Sequence, residues 1–278
     1  MANMTRRNFL SICAAAGSLA LVACGGSGTG SDTTTSSSSA EASAAALTTV
    51  VAGKLTCIAN MYFPPFESMD ESTGEPQGFD IDLGKALAEH LKLECNWLPS
   101  QQFDTLVPTI KAGGTADISI TGMTINDARK QEIDFSDPYI DSNQALVLKK
   151  GSTETEASLN DASKKVAVQA GTTGEEWVRE NLPNATCVPL DEVISCMTSV
   201  STGNNDALVI DLPVAANLIS NSFGDLEVAQ EIATGEQYGI AVSKENPELL
   251  AAINAALAEM ESDGTMDELE VKWFGTKL

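Results

Sequence analysis

Residues 119–129, SITGMTINDAR, place two threonines, a glycine and an arginine directly after a short apolar run. A strand ending near Thr121 would bring this turn to the carboxyl edge of a sheet, where α/β proteins bind ligands. Thr124 can N-cap a following helix, with Arg129 just over one turn into it. A guanidinium and helix N-terminal amides suit a carboxylate. The stretch predicts half of an anion site, although a strand, a turn and a helix with a surface arginine would give the same pattern.

A second junction of this kind lies in residues 166–176, VAVQAGTTGEE. Gly171 permits a sharp turn, and the hydroxyl and amide groups of Thr172 and Thr173 stand at a helix start, where they would face the same carboxylate. Thr173 also begins a Thr-x-x-Glu spacing, which predicts a capping box at this residue. Glycine-turn-helix junctions are common, so either junction considered alone is better explained by ordinary caps.

A third junction, ALVIDLPVAA at residues 207–216, places Asp211 between an apolar strand and a helix. Asp211 is either an N-cap or a carboxylate that holds an ammonium group. Phe63 and Phe103 either wall a ligand side chain or pack in the core. One arginine, two helix N-termini and one aspartate match the groups of a zwitterion, which carries both a carboxylate and an ammonium group.

The elements that must position these residues alternate between strands and helices. KLTCIAN, LECNWLP and ADISIT predict three strands, separated by helices at residues 80–91 and 103–112. This order predicts a mainly parallel sheet flanked by helices, with right-handed crossovers. The pattern restarts after residue 144, and a late strand, EQYGIAVS, precedes two closing helices. We therefore predict two α/β lobes, with the C-terminal helices returning to the first.

The N-terminal segment differs from the rest of the chain. A basic start precedes an apolar run at residues 9–21, which is shorter than the roughly 20 residues of a membrane-spanning helix. This pattern predicts an export signal over residues 1–23. TRRNFL resembles the twin-arginine export motif, and LVAC resembles a lipobox, which implies lipidation of Cys24. Residues 24–52 then form a flexible linker, so we expect an exported protein, lipid-anchored to the outer face of the cell membrane.

The composition limits what the chain can bind. The 39 Asp and Glu residues against 16 Lys and Arg argue against a nucleic-acid partner. The single histidine, His90, lies beside the apolar stripe of its helix and is expected to pack there. Metal binding and Ser-His-Asp catalysis therefore lack a second histidine, and we predict no metal and no cofactor. Cys57 and Cys95 are expected in strands, and Cys187–Cys196 is the favoured disulfide if one forms.

Seven segments in chain order resemble the family 3 extracellular solute-binding proteins, the amino-acid-binding subunits of ABC importers. They are YFPPFE, GFDIDLGKALAEHL, GMTINDARKQEIDFSDPY, VAVQAGTTGEE, ALVIDLPVAA, YGIAV and SDGTMDELEVKWFG. The resemblance covers roughly residues 54–278 and implies a two-lobe periplasmic-binding-protein clamshell with two crossover hinge segments. Its lobe 1 would comprise residues 53–139 and 240–278, and its lobe 2 residues 140–239.

The resemblance also implies roles for the predicted site residues. Arg129 would hold the α-carboxylate of an L-amino acid together with the amides of Thr124 and Thr173. The carbonyl of Gly122 and the carboxylate of Asp211 would hold the α-amine.

The side chain of the ligand would meet a further set of residues, also implied by the resemblance. Phe63 and Phe103 would pack on the ligand, while Asn60, Thr121 and Gln169 would read its side chain. Relatives that bind basic amino acids often have aspartate at the position of Asn60. The amide therefore favours a neutral polar ligand such as glutamine or cystine.

The implied function is that of a monomeric, non-enzymatic substrate-binding subunit, which delivers its ligand to ABC permease subunits in the membrane. One alternative is an enzyme on the same fold, resembling cyclohexadienyl or arogenate dehydratases. That enzyme needs a catalytic acid in the cleft, where Asp211 is the one acid identified. A soluble partner of a membrane sensor kinase is another alternative.

Overall fold

The computed structural model describes residues 47–278, in which strands and helices alternate much as the sequence predicts. Within this range the strands are β1 (Lys54–Ile58), β2 (Tyr62–Phe63), β3 (Glu67–Met69), β4 (Pro76–Gln77), β5 (Glu94–Trp97), β6 (Ile118–Ser119), β7 (Asp134–Phe135), β8 (Ile140–Lys149), β9 (Lys165–Gln169), β10 (Thr186–Leu190), β11 (Ala207–Asp211), β12 (Leu226–Tyr238) and β13 (Ala241–Val242). The α-helices of the same range are α1 (Phe79–His90), α2 (Leu106–Ala112), α3 (Asp127–Glu132), α4 (Glu156–Leu159), α5 (Thr173–Asn181), α6 (Val193–Ser201), α7 (Leu212–Asn221), α8 (Pro247–Asp263) and α9 (Thr265–Phe274). A 3-10 turn at Phe103–Thr105 leads into α2.

The first lobe is built on a sheet with the strand order β5-β1-β6-β13-β7. β5, β1 and β6 run parallel, and β13 is antiparallel to β6 and β7. β1 is buried along most of its length, as expected for a parallel strand that is covered on both faces. Leu83 and Leu87 of α1 are fully buried in the same apolar cluster as side chains of α8 and α9. α8 and α9 pack against α1, which follows β4 in the first half of the chain.

The second lobe is built on a sheet with the strand order β10-β9-β11-β8-β12. β10, β9 and β11 run parallel, β8 is antiparallel to β11, and β12 is antiparallel to β8. Val166 and Val168 of β9 face one apolar cluster, and Ala167 between them faces another, as the two-residue period of a strand requires. Each lobe thus has a parallel centre with antiparallel strands added on one side.

Two chain segments connect the lobes and lie side by side. One joins β7 to β8, and the other joins β12 to β13. The backbone N–H of Tyr139 donates to the carbonyl oxygen of Tyr238 at 3.0 Å, and both tyrosines are buried. β12 begins at Leu226, well before the predicted strand. The prediction missed its first part because the side chains there are largely polar and the partner strand β8 is distant in sequence. No local apolar pattern marks that strand.

The four cysteines of the described range are free thiols, so the structure contains neither a Cys187–Cys196 nor a Cys57–Cys95 disulfide. Cys187 packs in the cluster on one face of the second sheet, and Cys196 in the cluster on the other face. The sheet therefore separates the two sulfur atoms. Cys57 and Cys95 lie on the paired strands β1 and β5.

Between residues 47 and 278, no helix is long and apolar enough to cross a bilayer. In the same range, His, Cys, Asp and Glu side chains form no group of three or more that could hold a metal ion. The His90 ring lies along its own helix, with Nδ1 2.9 Å from the Ala86 carbonyl oxygen. The predicted signal, the proposed lipid site at Cys24 and most of the linker lie outside the described residues.

Candidate functional site

The loop between β6 and α3 forms the first-lobe half of a cleft between the lobes. Gly122 has a φ of +55°, and a Cβ at this position would lie 2.8 Å from the ring of Phe63, so glycine is required. The Thr121 hydroxyl donates to Glu67 Oε1 at 2.6 Å and accepts the backbone N–H of Asn60 at 3.1 Å. The structure therefore brings together four of the predicted site residues.

Two fully buried carboxyl groups, Glu67 and Asp80, support this loop from beneath. Asp80 Oδ2 accepts the Gly122 N–H at 2.7 Å and the Tyr139 hydroxyl at 2.9 Å. Burial raises the pKa of Asp80 to about 7, although these two donors act in the opposite direction. Burial, followed by the charge of Asp80, raises the pKa of Glu67 well above its ordinary value. Because two adjacent buried carboxyl groups cannot both ionise, the pair shares a proton.

Arg129 projects from α3 into the cleft and is 8% exposed. Its Nη1 donates to the carbonyl oxygen of Thr124 at 2.7 Å, and its Nη2 donates to that of Gly171 in the second lobe at 3.0 Å. The guanidinium also lies 5.3 Å from the centre of the Phe103 ring, which is a cation–π contact. Burial lowers the pKa of Arg129, and nearby carboxylates oppose that shift. Arg129 is thus a buried cleft residue rather than a surface arginine.

The helix that carries Arg129 begins later than predicted. Asn126 caps α3, and its Oδ1 accepts the Arg129 N–H at 2.8 Å. Thr124 instead forms a β-bridge with Tyr238, and its hydroxyl donates to Glu236 Oε2 at 2.8 Å. The predicted N-cap role of Thr124 is therefore wrong, because its backbone is paired with the crossing segment and a better-placed asparagine follows.

The second-lobe half of the cleft is the turn between β9 and α5. A Cβ at Gly171, whose φ is +76°, would lie 2.9 Å from the Cβ of Asp104, so the lobes approach closely here. The N-cap is Thr172, whose hydroxyl accepts the Glu175 N–H at 3.2 Å. The capping box predicted to begin at Thr173 is therefore wrong by one residue. The side chain of Glu175, rather than that of Glu176, accepts a hydrogen bond from the Gly171 N–H at 2.8 Å.

Asp211 ends β11 and is 5% exposed. Its side chain makes no capping bond to α7, and its Oδ1 accepts the Tyr238 hydroxyl at 2.6 Å instead. Burial, followed by the charge of Glu236, raises the pKa of Asp211 to about 7, while the bond from Tyr238 acts against the shift. Asp211 stands at the N-cap position of α7, but its carboxyl group is hydrogen-bonded to Tyr238 of the segment that crosses between the lobes.

Two of the predicted side-chain-reading residues meet across the cleft. Gln169 Nε2 donates to Asn60 Oδ1 at 3.2 Å, and both residues are buried. Asn60 Nδ2 in turn donates to the carbonyl oxygen of Gln101 at 2.8 Å. This end of the cleft is therefore lined by uncharged amides, one from each lobe.

Glu236, on β12, is a cleft residue that sequence analysis misses. Its Oε2 accepts the hydroxyls of Thr124 at 2.8 Å and Thr173 at 3.0 Å, and the side-chain amide of Gln144 at 3.1 Å. The carboxylate therefore contacts both lobes. Its signal in the sequence is its position two residues before Tyr238, at the predicted crossing between lobes.

A guanidinium and carboxylates thus lie in one cleft between two α/β lobes, and the guanidinium is hydrogen-bonded to the backbone of the opposite lobe. Most of these side chains are buried, so their charges act in a medium of low dielectric constant. This fold and site define a two-lobe protein with a candidate ligand-binding cleft between its lobes.

The chain belongs to the bacterial extracellular solute-binding proteins, family 3, whose model matches residues 55–276. The L-cystine-binding protein TcyJ of Escherichia coli K12 is 34% identical over 217 residues, which cover 78% of this chain and 80% of that protein. A solved ancestral arginine-binding protein bound to glutamine is 40% identical, with a TM-score of 0.75 over 81% of this chain and 99% of that one. An ancestral amino-acid-binding protein described as a precursor of cyclohexadienyl dehydratase is 37% identical, with a TM-score of 0.74 over 80% and 96%. The predicted family and two-lobe fold are confirmed.

Proposed function

We propose that the chain is the extracytoplasmic substrate-binding subunit of an ABC importer, which captures an L-amino acid in the cleft and delivers it to the membrane permease. The observation that carries this proposal is that a buried guanidinium, Arg129, and a buried carboxyl group, Asp211, lie on opposite lobes and interact through their charges. The first pairs with the α-carboxylate of the ligand and the second with its α-ammonium group. The family and the amino-acid-binding names of its members support the ligand class.

Binding proceeds in two stages in this proposal. The zwitterion first meets the first lobe through Arg129 and the loop at Gly122. Closure then adds the amide of Thr173 and the carboxylate of Asp211, contacts that exist only in the closed form. A ligand with such differential contacts shifts the population towards closure. The moving bodies are residues 53–139 with 240–278, and residues 140–239, and the closed monomer presents both to the permease.

The side chain of the ligand is neutral and polar in this proposal, as in glutamine or cystine. The amides of Asn60 and Gln169 meet at one end of the cleft, and Thr121 lies beside them. These groups supply hydrogen bonds but no charge. Phe63 and Phe103 provide the apolar surface, with Phe103 also stacked beside the guanidinium.

The N-terminal segment completes the proposal. Signal cleavage before Cys24 and lipidation of its thiol would hold the protein at the outer face of the cell membrane, with the residues between Cys24 and Leu47 as a tether. The linker predicted over residues 24–52 is too long at its C-terminal end, because the Val50 N–H donates to Asp117 Oδ1 at 2.7 Å and Leu47 packs against the core. The twin-arginine pattern supports export in a folded state. Mass spectrometry of the membrane-extracted protein tests this part, since a lipidated Cys24 at the N-terminus is expected and Cys24→Ala should abolish it.

The proposed function includes no bond chemistry. The dehydratase alternative has one supporting observation, the similarity to a described precursor of that enzyme. Such an enzyme needs an acid that holds a proton near neutral pH, and Asp211, with a pKa of about 7, is the candidate. Incubation with prephenate separates the two functions, because the binding protein forms no product.

A thermal-unfolding screen of the purified protein against the twenty L-amino acids and L-cystine tests the proposed function. A ligand at 100 times its Kd stabilises the folded state by about 2.7 kcal/mol, which raises the midpoint by several degrees. We expect one or a few L-amino acids to do so, and their D-enantiomers not to. A chain that no amino acid stabilises, but that converts prephenate, would contradict the proposal.

A further inference from the structure

Glu236 holds hydrogen-bond donors from both halves of the cleft. Its Oε2 accepts the Thr124 hydroxyl of the first lobe at 2.8 Å. The same atom accepts two donors of the second lobe, the Thr173 hydroxyl at 3.0 Å and the Gln144 side-chain amide at 3.1 Å. Donors that converge on one oxygen form a site for a carboxylate. In this structure the carboxylate at that site belongs to the chain itself.

The threonines at this site are the ones that the proposed function assigns to the α-carboxylate of the ligand. The amide and the hydroxyl of a threonine lie close together, so a carboxylate that reaches the amides of Thr124 and Thr173 also meets Glu236. The charge of Glu236 acts on Arg129 as well, which is the third group assigned to the ligand carboxylate. Two like charges would then share one set of donors in a partly buried cleft, where their repulsion is strong. The two carboxylates therefore exclude each other.

The side chain of Glu236 can leave these donors while its strand stays in place. Its backbone is paired with Ser142 of β8, directly after an irregularity in the pairing between Ile232 and Glu236. The residue is partly exposed, unlike the buried Asp211. Rotation about the flexible bonds of the glutamate side chain therefore moves the carboxylate towards water without breaking the sheet. An incoming carboxylate can take over the donors.

We propose that Glu236 is an internal competitor of the ligand, whose carboxylate holds Thr124 and Thr173 until the α-carboxylate of an amino acid displaces it. This inference rests on the proposed function. Because only molecules with free donors can bind, Glu236 reduces the apparent affinity in proportion to the time for which it holds them. The reduction is similar for every L-amino acid, since all of them share the α-carboxylate. The return of Glu236 to its donors also promotes release of the ligand.

Removal of the competing carboxylate should therefore tighten binding. The probes are the twenty L-amino acids and L-cystine, and calorimetry at pH 8 gives the dissociation constants of those that bind. Glu236→Ala should bind each of them about tenfold more tightly than wild type, with a matching decrease in the dissociation rate measured by stopped flow. The increase should be smaller for Glu236→Gln, because its amide oxygen can still accept from the threonines. The matched control is Glu231→Ala on the same strand, where the exposed carboxylate accepts from Asn143, and its affinities should equal those of wild type.

A second ligand separates competition at the carboxylate from a general effect of the substitution. The α-carboxamide of the tightest-binding amino acid lacks the negative charge that Glu236 repels. Glu236→Ala should therefore improve the binding of the amino acid several-fold more than that of its α-carboxamide. A damaged fold or impaired closure would weaken both ligands, which is the opposite of the expected change.

The possible results decide between the two proposals. Binding that is unchanged or weaker in both Glu236 variants would overturn the internal competitor, while the proposed function stands. Equal tightening of the amino acid and its α-carboxamide would also overturn it, because the effect would not depend on the ligand carboxylate. A wild type that binds no amino acid would overturn the proposed function and this inference together.

Discussion

The two halves of the cleft are supported in different ways. In the first lobe, the loop at Gly122 rests on Glu67 and Asp80, which come from other parts of the chain and are fully buried. In the second lobe, the turn at Gly171 is held by the cap of its own helix, through Thr172 and Glu175. The first half thus depends on the assembled fold, and the second on bonds within a few residues.

This difference indicates that the two lobes have different roles in ligand binding. A loop fixed by a buried network loses little freedom when a ligand arrives, so the first half is pre-organised. A locally capped helix end keeps its shape when its lobe moves. This property suits the second-lobe half of the cleft, which in the proposed function contacts the ligand only on closure. Substitutions beneath the first half should therefore change stability, and substitutions in the second should change affinity more than stability.

The largest expected effect is that of Arg129→Ala on ligand affinity. Removing the guanidinium leaves the ligand carboxylate unpaired in a buried cleft, so binding should weaken by about 3–5 kcal/mol. Calorimetry measures the loss, and Lys130→Ala, an exposed neighbour on α3, is the control and should bind normally. Normal binding by Arg129→Ala would remove the basis of the carboxylate assignment.

Glu67→Ala should have the next largest effect, this time on stability. It leaves the Thr121 hydroxyl and the Asp80 carboxyl without their buried partner, at a cost of about 2–3 kcal/mol in the free energy of unfolding. Glu67→Gln should cost far less, because its amide can still donate to Asp80 and accept from Thr121. Chemical denaturation measures both, with the exposed Glu71→Ala as control.

The pH dependence of this pair distinguishes a shared proton from simple packing. The pKa of folded Glu67 lies above its ordinary value of 4.5, so the folded state keeps a proton that the unfolded chain releases. Stability from the pair is complete below that value and declines as pH rises towards the folded pKa. Glu67→Gln should show a smaller loss of stability from pH 5 to pH 8 than wild type. Equal losses would contradict the shared proton.

The ionisation of Asp211 should make ligand affinity depend on pH, with an effect smaller than those of Arg129→Ala and Glu67→Ala. Its pKa of about 7 means that it holds a proton in acid, where it cannot pair with the ammonium group of the ligand. Affinity should be level above pH 7 and fall about tenfold per pH unit below it, which is about 1.4 kcal/mol. Asp211 is hydrogen-bonded to Tyr238, and the charges of Glu236, Glu67 and Arg129 also interact with it. Asp211→Asn should bind the ligand weakly at pH 8, and its affinity should no longer depend on pH. If the pH dependence persists in this variant, another group is responsible for it.

The smallest expected effect compares two helix caps. Thr172→Ala and Thr155→Ala each remove a side chain that accepts a helix N–H, which costs about 1 kcal/mol of stability. Thr172 stands at the cleft, whereas Thr155 caps the distant α4. Both variants should unfold at similarly lowered temperatures, but Thr172→Ala alone should weaken ligand binding. Equal affinities would show that the second-lobe turn does not depend on its cap.

Much of the fold was predictable from local patterns. The apolar runs around Cys57, Val168 and Leu208 mark parallel strands, and the spacing of Leu83, Leu87 and Leu91 marks α1. The cleft positions of Arg129 and Asp211 followed from the edge at which parallel strands end. These features depend on residues close together in the chain, which is why sequence patterns reveal them.

The features that were missed depend on residues far apart. Thr124 lost its predicted cap role to pairing with Tyr238, and β12 is defined by its partner β8 rather than by its own polar residues. Glu236 and the Glu67–Asp80 pair enter the site through side-chain bonds between distant segments. Acidic residues in polar surroundings usually indicate solvent exposure, so composition points away from these roles.

In the proposed function Arg129 holds the α-carboxylate of the ligand, and a cycle of protein and ligand changes tests this contact directly. Calorimetry gives the affinities of wild type and Arg129→Ala for the best L-amino acid of the screen and for its α-carboxamide. We expect a coupling of at least about 2 kcal/mol between the arginine and the carboxylate, and a much smaller one when Asp211→Asn replaces Arg129→Ala. If the carboxamide binds wild type as tightly as the amino acid, or if Arg129→Ala weakens both ligands equally, Arg129 does not hold the α-carboxylate.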